Sequence, residues 1–137
     1  MTMNKSLRKR VKERARFLCE YCLSPKRFCT AYYEVDHITP ISEGGKDEFE
    51  NLATACGGCN NNKSNATQAI DPLTGQIVSL YNPRIHIWAE HFCWNDTYLL
   101  MIGLSPIGRA TIKKLKLNRE EVVNLRTVLL AVGLHPI

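Results

Sequence analysis

Two pairs of cysteines constrain this chain more than any other feature of its sequence. Cys19 and Cys22 form one Cys-x-x-Cys pair, Cys56 and Cys59 form the other, and 33 residues separate the pairs. A two-residue gap lets both thiolates of a pair bind one ion, and two pairs complete a tetrahedral site of four sulfur ligands. The pattern predicts a structural zinc ion, because four sulfurs leave no open coordination position. The long spacing predicts a sizeable insertion between the pairs.

Two other uses of these cysteines stay open at this stage. A disulfide framework would need an oxidising compartment, and no apolar signal segment follows the basic start of the chain. A redox Cys-x-x-Cys is the second alternative, although two such pairs favour zinc. Cys29 and Cys93 are interpreted as small buried hydrophobic residues or free thiols. We expect a cytoplasmic protein with no membrane partner, since no stretch reaches the ~18–20 apolar residues of a membrane span.

The net charge of +5 is unevenly distributed along the 137 residues. Residues 1–16, the basic arm, carry +6, whereas residues 34–50, the acidic segment, carry −5. The arm suits contact with the phosphates of DNA, with a solvated helix face as the alternative. The acidic segment suits a bound cation, with a solvated loop as the alternative. The basic residues of the arm are Lys5, Arg8, Lys9, Arg10, Lys12, Arg14 and Arg16.

Hydrophobic periodicity and turn residues predict helices and strands in the first half of the chain. Apolar residues recur at helical spacing in the basic arm, and a β-prone run ends at Pro40. Gly44 and Gly45 mark a turn in a polar loop. The expected elements are a helix over residues 5–18, strands over 32–38 and 52–55, and a helix near 59–63.

The second half predicts short β-segments followed by two helices. Ser105-Pro106 is typical of a helix start, and Asn118 with Glu121 resembles a capping box. This helix pair could be a DNA-reading helix-turn-helix, but packing against the β-segments is the favoured interpretation. The expected elements are strands over 77–80, 85–92 and 98–102, a helix over 106–115 and a last helix that stops at Gly133. The predicted domains are a zinc-stabilised domain over residues 1–70 and an extension over residues 71–137.

Four polar residues near the cysteine pairs are expected to meet in one site. Asp36 and His37 end the first predicted strand, Asn51 precedes the second, and Asn60 follows the last cysteine of the pairs. Carboxylate and amide oxygens suit Mg²⁺ or Mn²⁺, and a neutral imidazole can take a proton from water. This combination suits metal-assisted hydrolysis of a phosphodiester. Asn51 is expected to hold the loop and to orient the imidazole through hydrogen bonds, and Lys63 is expected to steady a phosphate.

These motifs resemble those of the HNH endonuclease family, also called the ββα-metal nucleases. The resemblance covers about residues 17–65. It rests on the two cysteine pairs, on Val35-Asp36-His37-Ile38-x-Pro40 followed by Gly44-Gly45, on Glu50-Asn51-Leu52 and on Asn60-x2-Lys63. It implies an α+β fold in which a two-stranded hairpin and a helix hold one divalent ion.

The resemblance also implies a role for each residue of the site. His37 would be the general base, Asn51 would orient it, and Asp36 and Asn60 would bind the ion. DNA would be cut by in-line attack of water, leaving 5′-phosphate and 3′-hydroxyl ends. The third letter of the motif is Asn60 here rather than His, which is similar to known active variants and favours Mg²⁺ or Mn²⁺ over Zn²⁺. Asn61 and Asn62 follow directly, so the amide ligand could lie one or two residues beyond Asn60.

The sequence therefore predicts a metal-dependent DNA endonuclease that holds structural Zn²⁺ and catalytic Mg²⁺ or Mn²⁺. A zinc-stabilised nucleic-acid-binding module without catalysis is the alternative. A third class is a protein-interaction domain that uses the C-terminal helices. A protein partner or a homodimer is not indicated by the sequence.

Overall fold

The protein is described from a computed structural model that covers residues 3–137. The predicted first domain starts at residues 1 and 2, which lie outside this range. The chain forms two compact units. The first runs to Thr67 and includes Asn82–Ile85, and the second comprises Gln68–Tyr81 and His86–Ile137. The domain boundary between residues 70 and 71 stays a prediction.

The basic arm contributes the first helix, α1 (Lys5–Arg14). Asn4 caps it, because its side-chain oxygen accepts hydrogen bonds from two backbone N–H groups of the first turn. The helix ends four residues before the predicted end at residue 18. Arg16 and Phe17 adopt the left-handed backbone conformation, with φ of 54° and 57°, which ends the helical hydrogen-bonding pattern before the first cysteine pair.

A β-hairpin forms the centre of the first unit. Strands β1 (Tyr33–His37) and β2 (Leu52–Cys56) pair antiparallel, with Asp36 opposite Ala53 and His37 opposite Leu52. Every residue of β2 is buried, since α1 packs on the hairpin and helix α2 (Gly57–Lys63) follows directly. The core cluster comprises Met3, Val11 and Leu52, with Leu7, Val35 and Phe49 against it.

Arg14 and Glu20 close the edge of β2 that faces away from β1. Arg14 Nη2 donates to the carbonyl of Leu52 at 2.5 Å. Glu20 Oε2 accepts from the N–H of Thr54 at 2.7 Å, and the Glu20 N–H donates to the Thr54 carbonyl at 2.8 Å. A two-stranded sheet leaves such backbone groups unpaired unless another segment covers them. The hairpin therefore depends on the segment that leads into the first cysteine pair.

The second unit contains two further hairpins and three helices. Strands β3 (Gln68–Ile70) and β4 (Ile77–Ser79) pair antiparallel, as do β5 (Phe92–Trp94) and β6 (Met101–Gly103). Asp71, in the β3–β4 turn, forms a two-point ion pair with Arg109 of the next-to-last helix, with both N···O distances at 2.9 Å. The elements are β3 (Gln68–Ile70), β4 (Ile77–Ser79), α3 (Trp88–His91), β5 (Phe92–Trp94), β6 (Met101–Gly103), α4 (Pro106–Leu115) and α5 (Glu120–Ala131).

Two expectations for the second unit are wrong. The predicted strand over 85–92 is a turn followed by the one-turn helix α3, and the strand begins at Phe92. Asn118 does not cap α5, which begins after Arg119. The Asn118 side chain instead makes two 2.8 Å hydrogen bonds to the backbone of Met101 in β6. The start of α4 is as predicted, because Ser105 Oγ accepts from the Gly108 N–H.

None of the helices within residues 3–137 combines the length and the apolar character that a membrane crossing requires.

Candidate metal centre and active site

The four cysteines of the two pairs converge in the first unit. Their sulfur atoms all lie within 4.8 Å of one another, and all four residues are buried. Cys22 Sγ lies 3.7 Å from Cys56 Sγ, close to the roughly 3.8 Å edge of a tetrahedron with zinc–sulfur distances of about 2.3 Å. In each pair the second cysteine donates its N–H to the first sulfur at 3.4 Å. The cysteines are therefore positioned to bind a metal ion such as zinc.

The chemistry of the thiols agrees with this arrangement. None of the six cysteines forms a disulfide within residues 3–137. Hydrogen bonds from the other three sulfurs of the cluster lower the pKa of Cys56 far below its usual range, whereas burial raises the pKa of Cys19. Thiolates are the form of cysteine that binds zinc.

Asp36 lies buried in β1 with two donors on its carboxylate. Lys63 Nζ, from α2, lies 3.2 Å from Oδ1 and 3.1 Å from Oδ2. The hydroxyl of Tyr21 donates to Oδ2 at 2.9 Å. Burial raises the pKa of Asp36, while the Lys63 ammonium and the Tyr21 hydroxyl lower it. Lys63 is itself only 2% exposed, so the structure places its ammonium on Asp36 rather than in a position to steady a phosphate.

His37 follows Asp36 at the end of β1 and is half-buried. Its Nε2 lies 2.6 Å from Oδ1 of Asp47, which comes from the loop between β1 and β2. A carboxylate on one ring nitrogen of a histidine fixes the orientation of the ring and the tautomer. The structure therefore gives the imidazole a partner that the sequence analysis did not name.

Asn51 holds the loop between the strands rather than contacting the imidazole. Its Oδ1 accepts from the Thr39 N–H at 2.9 Å, and its Nδ2 donates to the carbonyls of Thr39 and Lys46, each at 3.0 Å. Gly45 makes this closure possible, because a Cβ there would stand 1.7 Å from the Thr39 carbonyl oxygen. Asn51 thus fixes the two ends of the loop that carries Asp47, and its effect on His37 is indirect.

An open cavity of about 440 Å³ lies between the end of β1 and α2. Asp36 and His37 line it from the strand, and Asn60, Asn61 and Ser64 line it from the helix. The structure therefore brings the predicted carboxylate, imidazole and amide to one cavity. Asn62, the third consecutive asparagine of α2, is not among the residues that line this cavity.

The donor set of this cavity fits a hard divalent cation. A carboxylate offers about four lone-pair directions, and the three contacts from Tyr21 and Lys63 leave one for a further partner. An amide oxygen from Asn60 or Asn61 would supply a second hard ligand, and the open cavity has room for water and phosphate oxygens. Such a mixed, partly hydrated set is typical of Mg²⁺ or Mn²⁺ rather than of zinc.

The basic residues of the arm do not form a uniform surface. Six of the seven lie on α1, and Arg16 follows its end. Arg14 is engaged within the unit, since it donates to the carbonyls of Phe49 and Leu52 and stacks 3.8 Å from the centroid of the Phe49 ring. The other six are Lys5, Arg8, Lys9, Arg10, Lys12 and Arg16, of which Lys5, Lys9, Arg10 and Arg16 are exposed.

Two residues of the site, Tyr21 and Asp47, were not predicted from the sequence. Tyr21 lies between the two cysteines of the first pair, and this position was the signal available in the sequence. The sequence does not show that the Tyr21 side chain faces Asp36. Asp47 is one of six acidic residues in the acidic segment, and no local pattern marks it out. Its contact with His37 depends on the fold of the loop over residues 38–51, which sequence spacing alone does not specify.

The geometry can now be compared with known proteins. A protein-family model described as HNH endonuclease matches residues 19–66, about a third of the chain. The chain has no significant match among curated proteins or among solved structures. The matched segment contains both cysteine pairs and every residue that lines the cavity. The match supports a nuclease-type function directed at nucleic acid.

Proposed function

We propose that this chain, in which residues 19–66 form an HNH endonuclease domain, is a metal-dependent endonuclease that hydrolyses phosphodiester bonds of DNA. The observation that supports this best is the shared cavity of Asp36, His37 and Asn60 within the family segment. Zinc would occupy the four-cysteine site and stabilise the fold. Mg²⁺ or Mn²⁺ would be held by Asp36 and by Asn60 or its neighbour Asn61.

In this proposal His37 is the general base. Asp47 holds the ring in one orientation through Nε2, and the imidazole takes a proton from the water that attacks the phosphorus. The bond to the 3′-oxygen breaks, which leaves a 5′-phosphate and a 3′-hydroxyl. The bound cation would supply positive charge that stabilises the developing phosphorane and the leaving oxygen. Asn51 keeps the loop that carries Asp47 in place.

The basic arm is the proposed contact surface for the DNA backbone. Its exposed lysines and arginines can neutralise phosphates, a contact that is independent of sequence and sensitive to salt. Lys63 acts differently from the expectation: burial raises the pKa of Asp36, and Lys63, as the buried counter-ion of this carboxylate, lowers that pKa. It thereby supports the cation site without touching the substrate.

Cleavage of supercoiled plasmid DNA tests the proposal. The protein should nick or cut DNA with added Mg²⁺ or Mn²⁺ and should not do so when these ions are omitted. Omission is preferable to chelation, since a chelator can also remove zinc from the cysteines. His37→Ala should lower the rate by roughly 10²–10⁴-fold, the usual contribution of a general base. His86→Ala, in the second unit, is the matched control and should cut like the unmodified protein.

Zinc content and circular dichroism of His37→Ala should equal those of the unmodified chain. If His37→Ala cuts at the unmodified rate, the assignment of the base is wrong. If the unmodified protein retains DNA without added Mg²⁺ or Mn²⁺ and never cuts it, the non-catalytic nucleic-acid-binding module is the better description.

A further inference from the structure

Tyr21 connects the two candidate metal sites of the first unit. It lies between Cys19 and Cys22, so its backbone is part of the first cysteine pair. Its side chain is only 2% exposed, and its hydroxyl donates to Oδ2 of Asp36 at 2.9 Å. One residue therefore belongs to the four-cysteine cluster by its backbone and contacts the cavity carboxylate with its side chain.

The hydrogen bond restricts how Asp36 can be oriented. Oδ2 receives Tyr21 as well as Lys63, whereas Oδ1 receives Lys63 alone. The two oxygens are therefore not equivalent, and Oδ1 retains the greater capacity for another partner. A carboxylate that is hydrogen-bonded on one oxygen presents the other in a fixed direction, as outer-shell partners do for metal ligands generally.

The cysteine cluster in turn restricts Tyr21. The backbone around it is closed by the Cys22 N–H on Cys19 Sγ and by the Leu23 N–H on the Cys19 carbonyl at 2.9 Å. Glu20, the other residue between the two cysteines, is bonded to Thr54 of β2. The position of the Tyr21 hydroxyl is thus set by the geometry of the cluster rather than by side-chain freedom.

We propose that Tyr21 is a positioning residue of the divalent-cation site, through which the four-cysteine cluster fixes the orientation of the Asp36 carboxylate. The inference rests on the proposed function for the identity of the cation site. It assigns a role to a side chain that neither binds the ion nor touches the substrate. Zinc binding would then affect the second cation as well, because the Cys19–Cys22 segment that holds zinc also sets the affinity of the Asp36 site.

Tyr21→Phe removes the hydroxyl and keeps the buried ring. The matched control is Tyr33→Phe, since Tyr33 is also buried in the first unit but its hydroxyl donates to the Ser24 carbonyl at 2.5 Å rather than to Asp36. Both variants should retain one zinc per chain. Binding of Mn²⁺, measured by calorimetry without DNA, should weaken roughly 10–100-fold in Tyr21→Phe, the usual effect of losing an outer-shell partner. It should be unchanged in Tyr33→Phe.

Cleavage provides a second measurement with a different expected pattern. The Mn²⁺ concentration for half-maximal rate should rise in Tyr21→Phe, while kcat at saturating Mn²⁺ stays near that of the unmodified enzyme. A purely structural role would instead lower kcat through a smaller folded fraction at every Mn²⁺ concentration. The inference would be overturned if folded, zinc-loaded Tyr21→Phe bound Mn²⁺ as tightly as the unmodified protein does.

If Tyr21→Phe does not retain zinc, an NMR titration of the unmodified protein tests the inference instead. The buried hydroxyl proton of Tyr21 should give a slowly exchanging NMR resonance that shifts when Mg²⁺ is titrated, and an unshifted resonance at saturation would overturn the inference. The two proposals fail in different ways. Weakened Mn²⁺ binding in Tyr21→Phe without any DNA cleavage by the unmodified chain supports the positioning role and rejects the nuclease. If the unmodified chain cuts DNA and Tyr21→Phe binds Mn²⁺ as tightly as the unmodified chain, the nuclease is supported and the positioning role is rejected.

Discussion

Single residues decide which atoms of α2 face the cavity. Asn60, Asn61 and Asn62 are consecutive, but neighbouring residues of a helix point about 100° apart. Asn60 is half-buried and Asn61 is exposed, although both line the cavity. A ligand that must meet the buried Asp36 should come from the half-buried position. The family motif, which places its third letter directly after the last cysteine, favours the same residue.

We therefore expect unequal effects from two adjacent substitutions. Asn60→Ala should weaken Mn²⁺ binding at least about tenfold and reduce cleavage correspondingly, because one hard oxygen ligand is lost. Asn61→Ala should change Mn²⁺ affinity less than about threefold, since the exposed amide contributes little to a partly hydrated site. Calorimetric titration of Mn²⁺ into both variants measures the difference. If Asn61→Ala weakened Mn²⁺ binding more than Asn60→Ala, Asn61 rather than Asn60 would be the amide ligand.

What the sequence could predict at this scale depends on how local each signal is. Asp36, His37 and the cysteines could be predicted because their spacing along the chain carries the chemistry. Asn118 could not be predicted correctly, since its capping pattern was local while its real partner, Met101, lies 17 residues away. Asp47 and Tyr21 were missed for the same reason: hydrogen bonds across a fold leave no periodic mark in the sequence.

Among the secondary-structure elements, α1 serves two purposes. Its outer face carries exposed basic residues, whereas Arg14, at its end, closes the β2 edge and stacks on Phe49. The length of α1 was overestimated because apolar spacing continues past Arg14, and only the left-handed backbone at Arg16 ends the helix. The basic arm is thus partly a structural support for the hairpin.

This division predicts different results for two basic residues of the same helix. Arg14→Ala should lower the free energy of unfolding by about 2 kcal/mol, because two hydrogen bonds from a charged donor to the backbone are lost. Lys9→Ala should leave stability within about 0.5 kcal/mol, as is usual for surface substitutions, but should weaken DNA binding. Urea unfolding followed by circular dichroism, and fluorescence anisotropy with labelled DNA, separate the two effects. Equal stability of the two variants would contradict the edge role of Arg14.

A second element-scale contact joins the β3–β4 turn to α4. Asp71 is fully buried and accepts from Arg109, from the Thr74 hydroxyl at 2.8 Å and from the Leu73 N–H at 3.1 Å. The hydrogen bonds from Arg109 lower the pKa of Asp71 well below its usual range. A carboxyl whose pKa is lower in the folded state than in the unfolded state stabilises the fold above its unfolded pKa, here about 3.9.

The stabilisation should therefore be complete at neutral pH and should be lost as the pH falls from about 4 through the lower pKa of the folded state. Asp71→Asn should lower the melting temperature at pH 7 by roughly 5 °C or more and should flatten the acid dependence below pH 4. Thermal melts between pH 2 and pH 7, followed by tryptophan fluorescence, measure both. Asp96→Asn, an exposed carboxyl of the same unit, is the control. An acid dependence identical in Asp71→Asn and the unmodified chain would refute the argument.

At the scale of the whole chain, the two compact units are stabilised by different means. The first contains the four-cysteine cluster and a small apolar core around Val11 and Leu52. The second contains no such cluster within its described residues and depends on apolar packing and on the Asp71–Arg109 pair. A unit with a small core usually requires a metal or another covalent constraint to fold. Removal of zinc should therefore act on the first unit.

The positions of the tryptophans make this prediction measurable in the full chain. The two tryptophans, Trp88 and Trp94, both lie in the second unit, with ring centroids 5.7 Å apart. Stripping zinc under reducing conditions should abolish DNA cleavage and reduce helical circular dichroism, because α2 carries Cys59 and is capped by Cys56, so it loses the ion that fixes it to the first cysteine pair. The tryptophan emission maximum should stay unchanged until urea unfolds the second unit. Cys29→Ser, which lies outside the cluster, should retain zinc and behave like the unmodified chain. A shift in tryptophan emission together with zinc loss would show instead that the two units unfold as one.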